Sequence, residues 1–125
     1  ADRERWHGRL QPAQTLLNEA LQLLHDFGDE TDLAYARQSQ ATLSLALGEY
    51  AAAREHLQAV LAVAESHDVT YLKGSASNGL AMLASNEGDL QTAEEFYHAS
   101  LQAHRQIGNV EGITGALVNL GACRF

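Results

Sequence analysis

The segment GEYAAAREHLQAVL at residues 48–61 decides the fold, because GDLQTAEEFYHASL at 88–101 and GRLQPAQTLLNEAL at 8–21 are near-copies of it. Gly8, Gly48 and Gly88 stand 40 residues apart with no insertion. Other columns keep the same spacing: Leu10, Tyr50, Leu90; Ala13, Ala53, Ala93; Leu17, Leu57, Tyr97; Leu21, Leu61, Leu101. Within each copy the apolar residues recur three and four apart, which is the stripe of an amphipathic helix. Upstream of each glycine a second set repeats: Ala36, Ala76, Ala116; Gln40, Leu80, Leu120; Ala41, Ala81, Gly121; Leu43, Leu83, Cys123. Each unit is therefore expected to be two helices, A and B, with the recurring glycine closing A in the left-handed conformation.

The expected helices are B1 from about 10 to 26, A2 from 31 to 47, B2 from 50 to 66, A3 from 70 to 87, B3 from 90 to 106 and A4 from 111 onward. Residues 1–7 are expected to be a stub of A1, and Pro12 suits the first turn of B1. The alanine columns at 13, 53 and 93 and at 41 and 81, with Gly121, let helix backbones approach at their crossings. One such hairpin cannot bury its own apolar face, so neighbours must stack into a solenoid. The units would run 1–33, 34–73, 74–113 and 114–125, as one domain of all-α class.

The pattern Gly-x-Tyr/Leu-x-x-Ala, followed by Leu or an aromatic and then Leu, resembles helix B of a tetratricopeptide repeat. AxxNLG at 116–121 resembles its helix A. The unit is about six residues longer than the family's usual 34. The joins FGDETD, HDVTYL and IGNVEG replace the family's proline, which is similar to the long-helix subgroup in bacterial transcriptional regulators and in peptide-binding adaptors. HEAT and armadillo arrays share a period of about 40 residues but do not call for this glycine-to-alanine signature. The resemblance implies a right-handed α-α superhelix whose A helices line a concave groove for a partner's peptide or helix. By column that groove would include Tyr35, Gln38, Thr42 and Leu45, then Ser75, Asn78, Met82 and Ser85, then Asn119. Asn119 matches the asparagine that backbone-binding members use, whereas Ser39 and Gly79 fill its column elsewhere. The basic residues of the family's carboxylate clamp have no counterpart beyond Arg37 and Lys73 near the helix starts.

Composition bounds what such a module could do. Eight basic residues against sixteen acidic ones give a net charge of −8, which repels phosphate backbones and anionic lipid. Direct nucleic-acid or membrane binding is not expected. A single cysteine, no Asn-x-Ser/Thr sequon and a charged N-terminus point to a cytoplasmic protein. The first residue is not Met and an apolar pattern runs into ALVNLGACRF, so the chain is expected to be a piece of a longer one with weakly self-associating ends.

No chemistry is legible. The six histidines form no His-x-x-x-His pair, and Cys123 stands in a leucine column, so neither a metal nor a nucleophile is expected. The histidines read as solvated or half-buried helix positions. Gly108, Gly112, Gly115 and Gly121 lack the Gly-Lys-Ser/Thr ending and the preceding strand of a phosphate loop. Gly108 reads as a turn and Gly121 as a close-packing residue, while Gly112 and Gly115 have no comparable account. Glu94, Glu95, Asp29, Glu30 and Asp32 read as a solvated acidic surface. The expectation is a non-catalytic, cofactor-free interaction module, a sensor or partner-docking segment of a larger bacterial regulatory protein. The alternatives are a scaffold segment of an enzyme whose active site lies elsewhere and a structural spacer.

Overall fold

Amphipathic stripes of 17 to 18 residues, closed by left-handed turns, give antiparallel helices in the computed structural model, which describes the backbone over residues 2–123 and side chains over 12–26 and 28–122. The described residues form α1 (Asp2–Phe27), α2 (Glu30–Leu47), α3 (Tyr50–His67), α4 (Thr70–Asn86), α5 (Leu90–Ile107) and α6 (Val110–Cys123), with no strand. The expected boundaries from residue 30 onward agree to within one residue.

Each A-to-B turn uses its glycine. Gly48 has φ 78°, and its N–H donates to the carbonyls of Leu45 and Ser44, satisfying acceptors that the helix leaves unpaired. Gly88 has φ 84°. Asp29 and Asp89 cap the following helices, accepting from the N–H groups of Asp32 at 2.8 Å and Thr92 at 3.2 Å.

Gly8 behaves differently from expectation. Instead of an A1 stub and a break, α1 runs unbroken from Asp2 through Gly8 and Pro12 to Phe27. The turns at Gly48 and Gly88 are held because long helices on both sides pack together. At Gly8 the helix continues instead, since extending an existing helix is easier than nucleating a second.

Sequence-adjacent helices pack as hairpins, and α4 touches both α2 and α6. Among the described residues, α1, α3 and α5 make no such second-neighbour contact. The A helices therefore form the tighter row. Two core clusters share α4. One joins Ala34, Leu57, Val60, Ala64, Leu72, Leu80 and Leu83; the other joins Ala81, Ala84, Ala93, Tyr97, Leu101, Ala116 and Leu120; and Phe96 packs against both. Full burial of one such leucine contributes about 1.5 to 3 kcal/mol.

The small columns act as crossings in the interior: Ala41, Ala53, Ala81 and Ala93 have no exposed surface. Gly79 belongs with them, since a Cβ there would lie 2.8 Å from Leu57. Gly121 does not. It is exposed, and a Cβ on it would meet nothing within 4 Å among the described residues. The expectation for Cys123 lies outside the described side chains.

Candidate functional site

The tighter row of A helices opens into a cleft of about 440 Å³, walled by Gln38, Ser39 and Thr42 of α2, Tyr71, Ser75 and Asn78 of α4, and Glu111, Gly112, Gly115 and Ala116 of α6. These positions recur at helical spacing along each wall, so one stripe per helix faces the opening. Four of the nine groove residues expected from sequence, Gln38, Thr42, Ser75 and Asn78, stand here together. Tyr35 joins them through an offset stack on Tyr71, with ring centroids 6.3 Å apart and planes 19° apart. Met82, Ser85 and Asn119 line a neighbouring hollow of about 260 Å³ with Tyr97.

The two hollows are connected by an amide bridge. Asn119 of α6 donates through Nδ2 to Oδ1 of Asn78 on α4 at 3.3 Å, and Nδ2 of Asn78 lies 3.8 Å from the Met82 sulfur. Two of the groove residues expected from sequence thus hold each other across the row. Leu45 is not brought to either hollow. It is half-buried against the first core cluster, where its apolar side chain leaves water, whereas Ser85 in the same column stays at the hollow.

The floor of the larger cleft holds a group that sequence reading missed. His104 of α5 is only 5% exposed. A Cβ at Gly74 would lie 2.8 Å from its ring, and one at Gly112 would lie 2.3 Å from it. The imidazole is therefore gripped between the bare backbones of α4 and α6. This accounts for Gly112, while Gly115 lines the cleft with open space around it. The sequence carried a signal for this, because the column of His104 holds Ala64 in the preceding unit and that of Gly112 holds Leu72. A large-for-small exchange in one column with the reverse in another marks two positions that share one space.

Asn109 fixes the ring. Its Oδ1 accepts the Gly112 N–H at 3.4 Å, which turns Nδ2 toward His104 Nδ1 at 3.2 Å. Nδ1 is then the acceptor, and the neutral ring carries its proton on Nε2. Burial lowers the His104 pKa from its ordinary value. The ring of Tyr71 stands on it edge to face, with centroids 6.2 Å apart. Tyr35, Tyr71 and His104 form a continuous aromatic ladder from α2 across α4 to α5.

The charges around the cleft are one-sided. Lys73 is tied to Asp68 on the α3–α4 join. Arg37 acts on α3: the His56 pKa is lowered by burial first and by the Arg37 charge second. Among the described residues no lysine or arginine lines the cleft, while Glu111 does. Among the described residues no three His, Cys, Asp or Glu side chains converge as a metal site requires, and no helix is long and apolar enough to cross a membrane. No protein-family model, curated protein or solved structure matches the chain.

Proposed function

We propose that the protein is a non-catalytic interaction module of tetratricopeptide-like, right-handed superhelical architecture that seats a partner's peptide or helix along the row of α2, α4 and α6. The observation that carries this reading is the cleft itself. Two successive A helices, α2 and α4, present along one opening, which α6 closes with Glu111, Gly112, Gly115 and Ala116, the hydroxyl and amide side chains of Gln38, Thr42, Ser75 and Asn78. Such groups donate to and accept from a peptide backbone without selecting one charge. Exposed Tyr35, Tyr71 and Met82 add apolar contact beside them. The resemblance to repeats of bacterial regulators supports a docking or sensing segment of a larger cytoplasmic regulatory protein, acting without cofactor and without direct contact to nucleic acid or membrane.

The test uses linear peptides selected on the wild-type protein. Ser75→Trp fills the cleft from its α4 wall, and Glu94→Ala with Glu95→Ala alters α5 outside the cleft lining. Binding lost in the first and retained in the second is expected. The reverse result would place recognition on the α3–α5 side and overturn the reading. Asn78→Ala with Asn119→Ala removes the amide bridge and any bonds these groups make to a partner; a loss of about 1 to 3 kcal/mol in affinity is expected.

A further inference from the structure

We infer that the cleft lined by Tyr71, Gln38 and Glu111 receives an arginine side chain of the partner. This deepens the peptide-docking reading and rests on it. Four observations on different residues select the same chemistry. The exposed Tyr35–Tyr71 stack offers ring faces to a planar cation, and guanidinium stacks on tyrosine better than ammonium does. The Oε1 atom of Gln38 is buried on the cleft wall with no hydrogen-bond partner, an acceptor that a donor-only group would satisfy. Glu111 supplies a carboxylate to the same cleft, and among the described residues no basic side chain lines it. The chain as a whole carries a net charge of −8, which steers cations toward it.

An anionic guest is disfavoured on the same ground. The start of α6, where helix N–H groups would attract an anion, is occupied by Asn109 Oδ1 accepting from Gly112 and by Glu111 in the first turn. His104 adds no positive charge there, since its ring is buried and its Nδ1 already accepts from Asn109. A neutral apolar guest would leave Gln38 Oε1 unpaired and would desolvate Glu111 without return.

The experiment titrates four capped heptapeptides of serine and alanine, differing only in a central arginine, citrulline, glutamate or leucine, into the isotope-labelled protein and follows its amide signals. The arginine peptide is expected to bind at least about tenfold more tightly than the citrulline peptide, which keeps the shape and loses the charge. Its shifts should centre on Tyr71, Gln38 and Glu111. Tyr71→Leu and Glu111→Gln change exposed residues and should leave the fold intact. Each should lower arginine-peptide affinity by roughly fivefold, and Glu111→Gln should also flatten its salt dependence. Equal binding of arginine and citrulline peptides, or an arginine preference untouched by both substitutions, overturns the inference. If all four peptides shift Asn78 and Asn119 equally, peptide docking survives and the arginine assignment fails. If none shifts a cleft signal, both fail.

Discussion

At the α3–α4 join, Leu72 of α4 is wholly buried in one cluster with Ala64 of α3 and Ala34 of α2. Forty residues on, at the α5–α6 join, the leucine has become Gly112, the two alanines have become His104 and Gly74, and the space is filled from the other helix. The repeat conserves the volume between three helices, not the residue that supplies it. Close packing demands this, because an interior near crystal density tolerates neither a void nor a clash of one side chain. The second join differs in one further respect: its filling is polar and lies on the floor of the cleft. A spacing element in one unit has become part of the cleft in the next.

The strongest way to break this comparison is to overfill the second join. Gly112→Leu places a side chain where even a Cβ lies 2.3 Å from the His104 ring. A loss of about 3 kcal/mol or more is expected in chemical denaturation, at the upper end of overpacking costs. Combining Gly112→Leu with His104→Ala and Gly74→Ala recreates the first join and should recover most of that loss. A triple variant no more stable than the single one would show that the two joins do not share a geometry.

His104→Ala alone is expected to cost about 2 to 4 kcal/mol, through the cavity left and the Asn109 amide stripped of its acceptor. Leu72→Ala at the first join should fall in the same range. A near-zero effect at His104 would mean that the ring sits in a space able to collapse.

The joins should also separate by pH. His104 has its folded pKa lowered by burial, so the unfolded chain binds the proton more readily. The stability it contributes is complete above its ordinary value of 6.5 and is lost as the pH falls through that value toward the folded one. His56 is lowered as well and remains in every variant, so the informative quantity is the difference between proteins. Wild type should lose more stability between about pH 7 and 5 than the triple variant does. Parallel curves would remove His104 from the pH response.

The smallest effect concerns the turns that precede α4 and α6. Gly108 adopts φ 67°, and Asp68 in the same column adopts φ 54°, a region that favours glycine. Asp68→Gly relieves that strain and gives up the exposed pair with Lys73, which is worth little. A gain within about 1 kcal/mol is expected in thermal melts, offset in part by the greater freedom of glycine in the unfolded chain.

The sequence by itself determined the helices from residue 30 onward, the turns at Gly48, Gly88 and Gly108, and the buried alanine columns. All of these follow from periodicity and backbone conformation, which are local properties. It also placed Gln38, Thr42, Ser75 and Asn78 along one cleft, because a column repeated every 40 residues keeps its face as long as the units stack alike. Tertiary structure alone decided the rest. Gly8 stayed inside a helix where Gly48 and Gly88 make turns; Leu45 chose the core over the cleft; Asn78 and Asn119 met across 41 positions. The burial of His104 left only the exchange between its column and that of Gly112 as a sequence signal, since that burial depends on two glycines, 30 positions before it and 8 after it, brought to either side of one ring. Such contacts depend on where helix surfaces cross, and a crossing is fixed by the side chains of several segments at once, which no single stripe encodes.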